Sequence, residues 1–168
     1  DDKEWIFEIK WDGYRAVAEV KNGKVKFYSR NGLSFIDKFS VITESLKNIK
    51  HSVILDGEVV LLNDNKPDFQ KLQQYEDNYD MPLVYYVFDM LSLDGKNLKN
   101  LPLLDRKELL QKLLEENNDP VIRFSDHITE TGNAFFEMAK KNNLEGIIAK
   151  KADSEYTEGY RSKQWLKI

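Results

Sequence analysis

The first thirty residues alternate between apolar and polar side chains with the two-residue period of half-buried β-strands. This pattern predicts strands over 5–10, 14–20 and 24–29, which are separated by the dipeptides Asp12-Gly13 and Asn22-Gly23. Both dipeptides are typical of tight turns between antiparallel strands. We therefore expect the chain to open as an antiparallel sheet, with the Asp-Gly turn placing the first two strands side by side.

Further along the chain, short apolar runs alternate with segments of helical period. The run "LVYYVFDML" is apolar on both faces, which is typical of a strand in the middle of a sheet. Asp68 stands where it would cap the helix that "DFQKLQQY" predicts. Strands grouped in hairpins with interspersed helices predict an α+β fold of two mostly antiparallel sheets flanked by helices. The remaining strands are predicted over 53–62, 145–151 and 162–168, and the remaining helices near 38–49, over 104–118 and about 131–143.

Strand parity separates the polar from the apolar residues of the first strand. Trp5, Phe7 and Ile9 share one face, and Glu8 and Lys10 share the other. A single lysine or glutamate on the polar face of a strand is most often simply solvated. Lys10 therefore becomes informative only in combination with other residues.

Two other predicted strands also collect polar residues on one face. Asp56 and Glu58 lie opposite the apolar residues of their strand, and Lys167 lies opposite Leu166 and Ile168. If two sheets face each other, all these polar side chains can reach the cleft between them.

Composition limits the class of protein. At 168 residues, with 41% hydrophobic and 12% aromatic residues, the chain fits one folded domain. No apolar run approaches the roughly 20 residues needed to cross a bilayer, so we expect a cytoplasmic protein with no membrane partner. The net charge of -4 argues against a general nucleic-acid coat, which would carry a basic excess.

The absence of cysteine restricts any metal site. Neither a disulfide framework nor a thiolate site is available, so a divalent ion would be held by oxygen ligands or water. This favours a hard ion such as magnesium.

Six short blocks follow one another in an order that is more specific than any one of them. They are "KWDGYR" at 10–15, "SRNG" at 29–32, "DGE" at 56–58, "YVFD" at 86–89, "EGIIAK" at 145–150 and "WLK" at 165–167. The set resembles the covalent nucleotidyltransferase superfamily, which comprises ATP-dependent DNA ligases, RNA ligases and mRNA capping guanylyltransferases.

Within this superfamily, the chain is most similar to the ligase module of bacterial ligase D, the enzyme of non-homologous end joining. The similarity rests on "DFQKLQQ", "YVFDMLSLDG", "LPLLDRKELL" and the long final stretch "LEGIIAKKADSEYTEGYRSKQWLKI". The resemblance implies that residues 1–168 form a DNA ligase adenylation domain with an ATP-grasp-like nucleotidyltransferase fold.

The ends of the sequence differ from the family pattern. The sequence stops one residue before the position where the family usually has a second lysine in its last block. The oligonucleotide-binding-fold (OB-fold) domain that usually follows is not in 1–168. We therefore expect a fragment of a larger protein.

The resemblance implies that Lys10 attacks the α-phosphate of ATP and becomes lysyl-AMP. It also implies that Phe88 and Ile148 cover the two adenine faces, and that Glu58 holds a ribose hydroxyl. The implied catalytic residues are Lys10, Arg15, Arg30, Lys150 and Lys167, and the implied nucleotide-binding residues are Glu8, Ile9, Lys10, Arg30, Glu58, Phe88, Ile148, Lys150 and Lys167.

Two carboxylates are implied as ligands of Mg²⁺ or Mn²⁺, namely Glu145 and Glu58. Parity puts Ile148 and Lys150 on one strand face and Glu145 on the other. Bringing all three into one site requires an irregular strand, and Gly146 is where we expect a bulge.

The implied partners are nicked or broken duplex DNA, the OB-fold domain, Ku, and polymerase and nuclease modules, in a nucleoid-associated protein of the cytoplasm. Two alternatives stay open. The chain can be an RNA ligase or a GTP-using capping enzyme of the same superfamily, or a non-catalytic nucleotide-binding module.

Overall fold

The computed structural model describes residues 4–76, 80–129, 132–157 and 165–168. These residues form eleven strands and four helices. In chain order they are β1 (Trp5–Ile9), β2 (Tyr14–Lys21), β3 (Lys24–Ser29), α1 (Ser40–Leu46), β4 (Val53–Asn63), β5 (Lys66–Pro67), α2 (Phe69–Gln73), β6 (Leu83–Leu93), β7 (Lys96–Asn97), α3 (Leu103–Asn117), β8 (Ile122–Phe124), β9 (His127–Thr129), α4 (Gly132–Lys141), β10 (Ile147–Lys151) and β11 (Trp165–Lys167).

The strands form two sheets. The small sheet has the order β11-β10-β1-β9, and the large sheet has the order β3-β2-β4-β6-β7, with β5 on β4 and β8 on β6. Every named pairing is antiparallel except that of β6 with β8. The predicted α+β fold of two mostly antiparallel sheets is confirmed.

The turn at Asp12-Gly13 was predicted wrongly. β1 pairs with β9 and β10 in the small sheet, whereas β2 pairs with β3 and β4 in the large one, so residues 10–13 cross from one sheet to the other. Neither Asp12 nor Gly13 has the positive φ that a tight hairpin needs. Asn22 and Gly23 do have positive φ, and they join β2 to β3 as predicted.

The main core lies between one face of the large sheet and the helices. Leu55 on β4, Tyr85 on β6 and Leu110 on α3 are fully buried in it. β6 is central, as predicted, because it lies between β4 and β7 and is buried along most of its length. A smaller core packs Phe7, Ile147 and Ala149 of the small sheet against α4.

The helices follow the predictions except at their ends. Asp68 accepts a hydrogen bond from the Lys71 backbone N–H and caps α2 as predicted. α1 is shorter than expected, since it begins after Phe39, which offers no side-chain cap. α3 ends at Asn117, because the left-handed backbone of the next residue, Asn118, stops the helix.

The sequence pattern does not predict four short strands, namely β5, β7, β8 and β9. Each has only two or three residues, which is too few to show a two-residue period. β9 matters most, because it pairs with β1 beside Glu8. In the described part of the chain, no helix is long and apolar enough to span a membrane.

Candidate active site

A cleft of about 910 Å³ opens between the two sheets. Both sheets line it, with strands β1, β10 and β11 on one side and β2, β4 and β6 on the other. It brings together the residues that the six sequence blocks singled out. Those that line it are Glu8, Ile9, Lys10, Arg15, Arg30, Glu58, Phe88, Ile148, Lys150 and Lys167.

Lys10 lies just beyond the end of β1, where its backbone N–H donates to the Gly146 carbonyl oxygen. Its Nζ forms an ion pair of 2.5 Å with Oε1 of Glu145. Glu145, the one predicted site residue that does not line the cleft, is thus in contact with Lys10.

The bulge predicted at Gly146 is absent. β10 begins at Ile147 and pairs with β1 in unbroken register from Ile147 to Lys151. Glu145 precedes the strand, so strand parity does not apply to it. The register shifts in the described part of the chain lie instead between β4 and β6, around Asp56.

Glu8 is buried with two lysines. Its carboxylate is 2.7 Å from Lys150 Nζ and 3.2 Å from Lys107 Nζ, and all three side chains are at most 1% exposed. Burial alone would raise the pKa of Glu8, but attraction to the two ammonium groups outweighs it and lowers the pKa. Glu8 therefore stays ionised and fixes Lys150 at the inner wall of the cleft.

An aromatic pair with two cations forms another part of the wall. Phe88 and Trp165 meet edge to face, with centroids 5.8 Å apart. Lys150 Nζ lies 4.3 Å from the Phe88 centroid and 4.1 Å from that of Trp165, and the Arg15 guanidinium lies beyond 5 Å from both. The two rings meet nearly at right angles and form an apolar corner that two positive charges flank.

Arg15 is bound by the carboxylate of Asp56, which strand parity places on the polar face of its strand. Its Nε and Nη2 donate to Asp56 at 3.2 and 2.7 Å. The Tyr156 hydroxyl donates to the same carboxylate at 2.7 Å. Burial and the nearby Asp56 charge raise the pKa of Tyr156, so the phenol remains a donor. Tyr156 follows β10 in a segment without periodicity, where the sequence carries no signal for it.

Glu58 faces the cleft from β4. Its Oε2 accepts a hydrogen bond of 3.2 Å from the Gly13 backbone N–H. Burial raises the pKa of Glu58 to about 7, with repulsion from Asp56 and Glu145 adding to the rise and the Gly13 hydrogen bond and Arg15 opposing it. Glu58 thus changes its charge near neutral pH.

We expect Glu58→Gln to stabilise the nucleotide-free domain at alkaline pH. The pKa of Glu58 is raised above its unfolded value, so the wild type loses stability as pH rises from about 4.5 through about 7. Glutamine has no charge to bury. The free energy of unfolding of Glu58→Gln minus that of wild type should therefore be about 2–3 kcal/mol larger at about pH 8 than at about pH 4.

Urea unfolding at both pH values, without divalent cations, measures this difference. The exposed Glu44→Gln is the matched control and should show no such trend with pH. A constant difference between wild type and Glu58→Gln across this range would contradict the burial of an ionised Glu58.

The described residues contain no group of three or more His, Asp or Glu side chains that could cage a metal ion. The carboxylates of Glu58 and Glu145 are close enough for their charges to interact. Magnesium keeps much of its water and takes one or two carboxylates together with substrate phosphates. The oxygen ligands of Glu58 and Glu145 therefore fit the chemistry of a hard ion such as Mg²⁺ or Mn²⁺.

A second buried ion pair lies beneath the cleft. Arg106 of α3 donates from Nε and Nη2 to Asp89 of β6 at 2.8 and 3.0 Å, and both side chains are 0% exposed. Its Nη1 donates to the carbonyl oxygens of Leu101 and Ser154. Asp89 follows Phe88, so this pair supports the strand that carries the aromatic wall.

The family model for the ATP dependent DNA ligase domain matches residues 1–168. The chain belongs to this family. It is 33% identical over 168 residues to the multifunctional non-homologous end joining protein LigD of Pseudomonas aeruginosa. This match covers 98% of this chain and 20% of that protein. It is also 33% identical over 171 residues to the SPbeta prophage-derived DNA ligase-like protein LigB of Bacillus subtilis, covering 100% of this chain and 62% of that protein.

Solved structures agree with this assignment. The ligase domain of M. tuberculosis LigD superposes with a TM-score of 0.87 at 32% identity, over 97% of this chain and 54% of that one. The predicted resemblance to ligase D and the ligase fold are confirmed. This chain spans about a fifth of the length of the Pseudomonas relative and about 62% of the Bacillus one.

Proposed function

We propose that this chain is the adenylation domain of an ATP-dependent DNA ligase and that Lys10 carries the AMP. The main support is the position of the Lys10 amine, which enters a cleft lined by the cations Arg30, Lys150 and Lys167. Those cations suit a polyphosphate, and the family match supplies the class of reaction.

In the first step, Lys10 Nζ attacks the α-phosphorus of ATP. A P–N bond forms, the bond to the leaving pyrophosphate breaks, and the amine loses a proton. An ammonium group has no lone pair, so Lys10 must first leave its ion pair with Glu145 and be deprotonated. Lys150, Lys167 and Arg30 would stabilise the charge that develops on the transferred group.

ATP as the nucleotide is supported by a relative. The structure of mycobacterial DNA ligase D complexed with ATP and MES matches this chain with a TM-score of 0.86 at 33% identity. Phe88 and Ile148 would cover the adenine faces, Glu58 would hold a ribose hydroxyl, and Glu8 and Ile9 would complete the wall around the base. Glu58 and Glu145 would hold the Mg²⁺ or Mn²⁺ ion, which neutralises phosphate charge when bound.

In the later steps, AMP passes to the 5'-phosphate of nicked or broken duplex DNA, and a 3'-hydroxyl then attacks and releases AMP. Arg15 and Arg30 would hold the 5'-phosphate, since a guanidinium matches phosphate oxygens. For this, Arg15 would exchange its hydrogen bonds with Asp56 for bonds to phosphate.

The relatives named as end-joining proteins support a larger context for this domain. We include in the proposal a following OB-fold domain, contact with Ku, and linked polymerase and nuclease modules. A protein with this function would act at the nucleoid in the cytoplasm.

Incubation of the full-length protein with labelled ATP and Mg²⁺ tests the proposal. We expect one acid-labile AMP on Lys10, seen as a mass increase of one AMP, and sealing of nicked DNA. Preferred labelling by GTP, or sealing of RNA nicks but not DNA nicks, would favour the capping-enzyme or RNA-ligase alternative. Tight adenine-nucleotide binding without covalent product would favour a non-catalytic module.

A further inference from the structure

Lys107 of α3 is a fully buried lysine that the steps above do not use. Its side chain is 0% exposed. Its Nζ donates to the carbonyl oxygen of Ser125 at 2.9 Å and to that of Phe88 at 3.4 Å, and it forms an ion pair of 3.2 Å with Glu8. The ammonium group is thus held by two backbone carbonyl oxygens and by the charge of Glu8.

The three partners of Lys107 belong to both walls of the cleft. Glu8 lies on β1 in the small sheet, Phe88 lies on β6 in the large sheet, and Ser125 follows β8, which pairs with β6. Lys107 therefore joins the strand that precedes Lys10 to the strand that carries the aromatic wall.

A second contact joins the two sheets on the other side of Lys10. The Trp11 Nε1–H donates to Ser125 Oγ at 3.1 Å. The Trp11 ring stacks on Tyr86 of β6, with centroids 3.7 Å apart and planes 5° from parallel. The residues on both sides of Lys10 are thus fixed to the large sheet, one through Lys107 and the other through Ser125 and Tyr86.

We propose that Lys107, together with Ser125, is a positioning element that sets the place of the Lys10 amine relative to the nucleotide contacts on the large sheet. The inference rests on the proposed function of Lys10. Arg30, Glu58 and Phe88 belong to the large sheet or to the turn that follows β3, whereas Lys10 follows a strand of the small sheet. The distance between amine and phosphate therefore depends on how the two sheets are joined.

Loosening the join between the sheets is expected to affect the rate of AMP transfer and the affinity for ATP differently. A nucleophile must approach its target to about 3–3.5 Å in the right direction, and a displacement of about 1 Å can cost about 100-fold in rate. A looser join would move Ile148, Lys150 and Lys167 of the small sheet together with Lys10 and leave Arg30, Glu58 and Phe88 in place. Binding contacts tolerate such a displacement better than the direction of a nucleophilic attack does. Loss of the join should lower the rate of AMP transfer more than the affinity for ATP.

The test uses Lys107→Met in the full-length protein, with Leu110→Ala as the matched control. Leu110 is fully buried one turn further along the same helix, in the main core, so the control loses stability without touching Glu8 or Ser125. The rate of Lys10 labelling is measured against ATP concentration, at a temperature where circular dichroism shows each variant folded.

We expect Lys107→Met to label at least tenfold more slowly at saturating ATP, with less than a threefold shift in the half-saturating concentration, and Leu110→Ala to stay within threefold of wild type in both. Equal losses in the two variants, or an unchanged rate in Lys107→Met, would overturn the inference. A wild type that takes no label would overturn the proposed function itself and this inference with it.

Ser125→Ala keeps the test decisive if Lys107→Met does not fold. It removes the Trp11 acceptor but keeps the carbonyl that accepts from Lys107. We expect a three- to tenfold slower labelling at saturating ATP with little change in half-saturation. A rate equal to that of wild type would show that these contacts do not position Lys10.

Discussion

Lys10→Ala is expected to abolish transfer of AMP from ATP to this chain. The attacking amine is lost, and neither Lys150, which is buried against Glu8, nor Arg15, which is bound to Asp56, can replace it. Removal of a covalent nucleophile typically costs about 10³-fold or more. Mass spectrometry of the full-length protein after incubation with ATP and Mg²⁺ measures the loss.

A change at an exposed lysine supplies the control. Lys24→Ala, at the hairpin between β2 and β3, should label like wild type. Sealing of nicked DNA that already carries AMP on its 5'-phosphate gives a second check, because this step no longer needs Lys10. We expect Lys10→Ala to retain this step. If Lys10→Ala takes label from ATP at the wild-type rate, Lys10 is not the nucleophile.

The position of Lys10 was open to prediction because it depends on short-range features. Alternation over six residues separates Lys10 from Phe7, and the six ordered blocks identify the family. The alternation is local, and the blocks are read from their order along the chain, so neither signal requires knowledge of which strands pair. The Asp-Gly turn was misread for the same reason, since local sequence does not reveal that β1 and β2 belong to different sheets.

Arg106 and Lys107 were missed although the sequence contains a signal for them. The leucines within 104–118 predict an amphipathic helix but do not by themselves define its buried face. The buried face follows the helical period through Leu103, Arg106, Lys107, Leu110, Leu113 and Leu114, so two cations occupy positions that usually hold apolar residues. A charged side chain on such a face must find a partner inside the protein. The partners Asp89 and Glu8 lie on distant strands, which the sequence alone does not bring together.

Arg106→Met is expected to lower the free energy of unfolding by about 3–5 kcal/mol, because it leaves a buried carboxylate without its partner. Asp89 is 0% exposed, and Arg106 supplies two hydrogen bonds to it. The substitution also deprives the Leu101 and Ser154 carbonyl oxygens of a donor. Urea unfolding at neutral pH measures the change.

The pH dependence of this loss shows whether the charge of Asp89 is its cause. Burial raises the pKa of Asp89 even in the wild type, where Arg106 opposes the rise. Without Arg106 the pKa rises further, so the folded variant can protonate Asp89 in acid, and its deficit should shrink as pH falls. On the same helix, Lys112 and Glu108 form an exposed ion pair at 3.5 Å, and Lys112→Met should cost less than about 1 kcal/mol. Two outcomes would contradict this explanation: similar losses of stability in Arg106→Met and Lys112→Met, or a loss in Arg106→Met that is the same in acid as at neutral pH. Either outcome would show that the charge of the buried pair is not what stabilises β6.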